Sequence, residues 1–325
     1  MAFRFKLGES FDEGARRIAA EQIDHGLSLL QGNGDQVVAI HETRKSLKRL
    51  RALLRLIRPA IGDSVFKQEN AALREIGLSL SGARDRHVLL ETLDKLEASV
   101  GFGRRTVADQ LRRAIAAANG VGAMLTMQQA HDRLMEAKAR LTELKINGDG
   151  FDIVGGGLER SYRRARRAFA DAYAHPSDER FHEWRKGAQA HWRQMTLLSR
   201  AWPDYLGARA LEARTLSQLI GDDHDLALLI AFAHSDAAGV NAEQAAVVES
   251  AARQRQSTLR AMARPRGERL FAASPKRLCK SIAAYWNAAT ALKAQELDAT
   301  KVSGAPKRVH RKGSGRRRAV ASGEV

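Results

Sequence analysis

At 325 residues the chain is long enough for about two domains and a sizeable core, which excludes a peptide or a disulfide-stapled miniprotein. Lys and Arg number 54 against 37 Asp and Glu, a formal charge of +17, so the expected partner is an anion. Aromatics make up 6% and prolines number 6, and the abundant Ala, Leu and Arg favour helices and argue against an all-β fold. The single cysteine, Cys279, can close neither an internal disulfide nor a cysteine metal cluster.

In chain order, the opening MAFRFKLGESFDEGARR carries no apolar stretch of the signal-peptide kind. Apolar residues then recur at helical spacing between short breakers: Gly32-Asn33-Gly34, Arg58-Pro59, Gly101-Phe102-Gly103, Asn119-Gly120, His175-Pro176-Ser177, Trp202-Pro203 and Arg264-Pro265. This spacing predicts eight to ten helices and requires no strands. The longest apolar run, Leu226 to Ala233, is far short of the ~18 residues of a membrane span, so a cytoplasmic protein without a membrane partner is expected. A glycine cluster, Gly148 and Gly150 followed by Gly155-Gly156-Gly157, predicts a boundary near residue 150, with the triplet read as a hinge. Residues 301–325 hold eight Lys or Arg against one Glu and almost no large apolar side chain, which predicts a disordered basic tail. Most of the charge excess nonetheless stays with residues 1–300.

The two halves repeat each other. His41-Glu42-Thr43-Arg44-Lys45 opens a helical pattern that ends at Pro59, and His182-Glu183-Trp184-Arg185-Lys186 opens one that ends at Pro203. Downstream, Arg74 pairs in register with Arg214, and Arg84-Asp85 with His224-Asp225. Two blocks that keep register through a one-residue slip point to a tandem duplication. The expected architecture is all-α: a first bundle over 1–150, a second over 151–300, and the tail.

On a wheel turning about 100° per residue, His41, Arg44, Lys45, Lys48, Arg51 and Arg55 fall within about 120° of one another. Leu47, Leu50, Leu53, Leu54 and Ile57 lie opposite, as a core face. The second motif places His182, Arg185, Lys186, Gln189, Arg193 and Arg200 opposite Trp184, Ala188, His191, Met195 and Leu198. A third stripe runs through Arg160, Arg163, Arg164 and Arg167. Like charges at i, i+4 weaken a helix by a few tenths of a kcal/mol per pair. An ordinary surface mixes signs, so these stripes suit a flexible polyanion better than solvent alone.

H-E-x-R-K at the head of a cationic helix, present twice with its downstream Arg-Asp or His-Asp segment, resembles the CHAD family (conserved histidine α-helical domain) over about residues 10 to 295. The resemblance implies two four-helix bundles related by a pseudo-twofold and a basic groove or pore that binds inorganic polyphosphate; whether that binding serves targeting to polyphosphate granules, storage, signalling or scaffolding is left open by the sequence. Carried over by position, it implies contacts from His41, Arg44, Lys45, Lys48, Arg51, Arg55, His182, Arg185, Lys186 and Arg193, with Arg163 and Arg167 added from the third stripe. The repeat is imperfect: Gln189 stands where Lys48 does, and Trp192 where Arg51 does. The E-x-E-x-K motif of the triphosphate tunnel domain often fused to this family is absent.

Metal binding is disfavoured, because no H-E-x-x-H or H-x-x-x-H pair exists and cations stand where a metal would want carboxylates. His41 and His182 are read as phosphate hydrogen-bond donors, with a packed junction histidine as the plainer alternative. Donation as imidazolium predicts affinity that falls from pH 6 to 8. No nucleophile, paired-carboxylate signature or G-x-x-x-x-G-K loop marks an enzyme, and no cofactor is called for. Asp85 and Asp225 are expected to orient neighbouring Arg or His. The alternative function is non-specific nucleic-acid binding, weak and salt-sensitive, through the basic tail with its Arg316-Arg317-Arg318.

Overall fold

A computed structural model describes residues 3–32, 34–80, 82–100, 105–118 and 126–302, with backbone alone at 82–85, 100, 105 and 300–302. The expected breaks at Gly101 to Gly103 and Asn119-Gly120, the side chains of Arg84 and Asp85, and the tail from residue 303 lie outside the described residues. Twelve α-helices are described, more than the eight to ten the spacing predicts, and no strand. They are α1 (Phe11–Gln31), α2 (Gln36–Leu56), α3 (Arg58–Ile61), α4 (Asp63–Ser79), α5 (Gly82–Val100), α6 (Arg105–Ala117), α7 (Met127–Thr142), α8 (Asp152–Ala174), α9 (Asp178–Leu197), α10 (Pro203–Ala233), α11 (Ala242–Leu270) and α12 (Pro275–Val302).

Local chemistry sets most of these ends. Ser10 with Glu13, Thr126 with Gln129 and Asn241 with Gln244 form reciprocal capping boxes that start α1, α7 and α11. Asp35 caps α2 and Ser177 caps α9 through their side chains, and Pro203 opens α10, where its missing N–H costs nothing.

Two expected breakers are not breaks. Pro265 sits inside α11. It deprives Ala261 of its i+4 donor, yet the helix continues because Leu259 and Ala263 before it, and Gly267 and Leu270 after it, are buried. Gly155 to Gly157 are not a hinge either: they lie in the first turns of α8. A Cβ at Gly157 would sit 1.8 Å from the Leu56 carbonyl oxygen, so the glycine lets α8 cross the end of α2 backbone to backbone. Gly187 does the same for α9 against Ala165 of α8, where a Cβ would come within 2.7 Å of the Ala165 Cα.

The first core cluster runs from Phe5 and Ile18 of the N-terminal half through Leu50 and Leu53 to Tyr162, Trp184, Leu216 and Trp286. The second joins Leu93, Leu96, Leu111 and Ile115 of α5 and α6 to Leu226, Leu229, Val248 and Leu259 of α10 and α11. Each cluster thus takes side chains from both sides of the loop near residue 150. That sharing fixes the position of α2 relative to α9.

Candidate functional site: a cationic groove between two repeat helices

α2 and α9, the helices opened by the two H-E-x-R-K motifs, pack against each other. Their apolar rows are buried as the wheel predicts: Leu47, Leu50, Leu53, Leu54 and Ile57 on one, Trp184, Ala188, His191, Met195 and Leu198 on the other. Burying those rows turns the cationic rows toward a shared groove. One part of it, about 430 Å³, is walled by Lys48, Arg51 and Arg55 of α2, Arg74 of α4, Arg164 of α8, and His182, Lys186, Gln189 and Arg193 of α9. An adjoining part of about 260 Å³ repeats Lys48, His182, Lys186 and Gln189 and adds Arg44, Arg185, Val88 of α5, and His224, Asp225 and Leu228 of α10. The larger part holds seven Lys or Arg side chains and no described carboxylate.

The arginines are held mostly by neutral groups. Arg44 donates to the Gly77 carbonyl on α4. Arg51 Nε donates to Asn70 Oδ1 at 3.0 Å, Arg55 Nη1 to the Arg51 carbonyl at 3.2 Å, and Arg193 Nη1 to the Gln189 carbonyl at 3.0 Å. The Arg193 guanidinium lies 4.5 Å over the Trp192 ring. These bonds orient the guanidinium groups, and among the described residues no carboxylate pairs with Arg51, Arg55 or Arg193. Burial, with Arg49, Arg55, Arg185 and Arg51 nearby, pushes Arg193 down to about 9. Burial, Arg51 and Arg164 push Arg55 down to about 10, and burial followed by Arg74 lowers Arg51. All three remain protonated at neutral pH, so the groove is a region of concentrated positive charge.

In the smaller part, the His182 and His224 rings stack with centroids 4.0 Å apart. Burial, Lys186 and Arg185 lower His182, and burial together with His182, Arg185 and Lys186 takes His224 down to about 4. Both imidazoles are therefore neutral at pH 7. This moves the expected pH response below the interval of 6 to 8. Asp225 stands 3.7 Å from Arg185, in keeping with an orienting role. The described residues contain no group of three or more His, Cys, Asp or Glu side chains that could hold a metal ion.

Of the twelve residues expected to meet the ligand, Arg44, Lys48, Arg51, Arg55, His182, Arg185, Lys186 and Arg193 line this groove. His41 and Lys45 do not; Lys45 is ion-paired with Glu42 at 2.6 Å. Arg163 and Arg167 lie instead on a separate shallow depression on α8, together with Arg160, Arg164, Ala168 and Asp171. Arg200 falls in the 3-10 turn Ser199–Ala201 and is exposed outside the groove. The third stripe also has acids beside it, Glu159 from its own helix and two from other helices. Asp63 lies 3.4 Å from Arg160, Glu183 lies 2.8 Å from Arg164, and Glu159 pairs with Arg163.

Sequence reasoning missed Arg74, Arg164, Gln189 and His224 as wall residues. Arg74 and His224 stood in the downstream repeat, and Arg164 and Gln189 stood in the stripes. Nothing local marks them as sharing one cavity.

Among the described residues no helix is long and apolar enough to cross a membrane. No curated protein matches the chain. A family model described as the CHAD domain matches residues 17–234, a span that takes in both H-E-x-R-K helices and every groove residue named above, and the chain belongs to the CHAD family.

Proposed function

We propose that the protein binds inorganic polyphosphate, a linear chain of phosphates, in the groove between α2 and α9. CHAD domains are associated with polyphosphate and triphosphate binding. The observation that carries the reading is seven cations drawn from four helices around the larger part of the groove, whose described lining holds no carboxylate. Guanidinium forks and a mobile ammonium at close quarters match the repeated oxygens of a polyphosphate chain. They do not select a base, since the walls offer no row of exposed aromatic rings or amides to stack on or read bases.

The test is calorimetric titration of the full chain with long-chain polyphosphate, tripolyphosphate and duplex DNA at ~150 mM salt, where exposed charges are well screened. Submicromolar binding to polyphosphate and far weaker binding to DNA is the expected result. Equal or tighter binding to DNA would replace this reading with that of a basic nucleic-acid-associated protein.

We propose binding without turnover. Polyphosphate incubated with the protein should release no orthophosphate above the protein-free control, and steady release would overturn this part of the reading.

A further inference from the structure

The arginine stripe of α8 lies outside the groove, yet one residue belongs to both: Arg164 lines the large part of the groove and also the α8 depression. Glu183 marks the junction. Its carboxylate bonds Arg164 Nη2 at 2.8 Å and also pairs with Lys186, a groove residue. One acidic group thus holds a cation from each side of the passage between the two depressions.

Beyond it, Arg160, Arg163 and Arg164 are well exposed, at 54%, 44% and 70% of their side chains. Arg167 has no hydrogen-bond or ion-pair partner among the described residues. The remaining acids here are peripheral. Asp63 is shared between Arg58 at 2.7 Å and Arg160 at 3.4 Å, Glu159 pairs with Arg163 along the helix, and Asp171 is engaged by Arg180. From Arg160 to Arg167 the stripe extends the cationic surface by about 10 Å along the helix axis.

We propose that Arg160, Arg163 and Arg167 form a second phosphate subsite, continuous with the groove through Arg164, that is reached only by polyphosphate chains longer than the groove holds. Glu183 is the internal counter-anion displaced when the chain crosses. The inference rests on the groove being a polyphosphate site. It assigns the α8 stripe to chain-length discrimination: a short chain is held by the groove cations alone, and a long one adds the stripe.

Tripolyphosphate and long-chain polyphosphate are titrated into the full chain and into a triple variant, R160Q/R163Q/R167Q. Gln keeps most of each stem, and circular dichroism checks that helicity is retained. A matched control neutralises Lys67, Arg133 and Lys145, exposed cations that line neither depression. The expected result is tripolyphosphate affinity within twofold of wild type, and long-chain affinity at least tenfold lower in the triple variant. The log-log salt slope for the long chain should shrink by about 2, given ~0.7 per phosphate neutralised. The control should leave both affinities within twofold.

Equal losses for both ligands, no loss for either, or a control that matches the triple variant would each overturn the inference while leaving the groove reading intact. Failure of wild type to bind either phosphate polymer would overturn the groove reading itself. As a second variant, Glu183→Gln should raise long-chain affinity at least threefold, because it frees Arg164 and Lys186 together. An unchanged or lower affinity would remove Glu183 from the junction.

Discussion

Arg193 is buried to 9% exposure among other guanidinium groups and has no carboxylate partner among the described residues. A buried cation without a counter-charge destabilises the fold, and replacing such a group by an apolar side chain of similar length is often stabilising. Arg193→Met should therefore raise the Tm of the ligand-free protein by a few degrees and weaken polyphosphate binding at least tenfold. Calorimetry and thermal melts check both halves, and a lowered Tm with unchanged affinity would contradict the role given to Arg193. The histidine pair supplies a pH signature of definite sign. His224 lies near 4 in the folded, ligand-free protein against 6.5 when unperturbed, so the unfolded chain binds more protons between those values. Stability of the free protein should fall as pH drops from 6.5 toward 4. A bound polyanion offsets Arg185 and Lys186 beside the rings and raises both imidazoles. Affinity should accordingly rise as pH falls through that interval and stay flat above pH 7. Titrations in buffers of differing ionisation enthalpy would report the coupled proton uptake directly.

The groove depends on how closely helices cross. Gly157 presses α8 onto the Leu56 carbonyl, which places Arg164 over the end of α2 near Arg55. Gly157→Ala should cost about 3 kcal/mol, at the upper end of overpacking penalties, because the three nearest atoms are all backbone and none can swing away. Gly207 in the first turns of α10 has nothing within 4 Å of an added Cβ. Gly207→Ala should stabilise by about 0.5 to 1 kcal/mol through helix propensity alone. Denaturant melts of the pair separate a packing glycine from an indifferent one. The orientation of α9 is also fixed by a partly buried ion-pair network. Asp178 in its first turn accepts from Arg253 and Arg260 at 2.7 Å, and Arg260 Nε reaches Asp223 of α10 at 2.6 Å. Burial alone would raise Asp178, but its bonds to Arg253 and Arg260 outweigh that and hold it below the usual carboxylate range. Its contribution to stability is therefore present at neutral pH and lost as pH falls through the lowered value.

Across the whole molecule the formal charge is +17, and seven of its cations line one depression where the two repeat helices meet. Two cations about 8 Å apart repel by about 2 kcal/mol at an effective dielectric of 20. In the ligand-free protein Arg51 repels Arg74, Arg55 repels Arg164, and Arg193 repels its neighbouring arginines, and a polyanion relieves these repulsions together. Long-chain polyphosphate at a hundredfold excess over Kd should add about 2.7 kcal/mol and raise Tm by roughly 5 °C or more. With seven groove cations engaged, the log-log salt slope should be about −5, using ~0.7 per phosphate. A slope near zero would mean that the groove does not bind by charge.

The sequence by itself determined that the protein is all-α, that two helices carry a cationic row opposite an apolar row, and that these helices repeat. Spacing at i, i+3 and i+4 is a local property, and the burial of Leu50, Leu53, Trp184 and Met195 follows from it. The sequence did not determine which rows face each other. Arg74 and Arg164 reach the groove from other helices, while His41 and Lys45 share the row of Lys48 and fall outside the walls. Nor could it separate a hinge glycine from a packing glycine at Gly157, or show that Pro265 lies within a helix sealed by buried neighbours. Those outcomes depend on contacts between residues some 30 to 150 positions apart, and such contacts exist only once both hydrophobic cores have closed across the two halves.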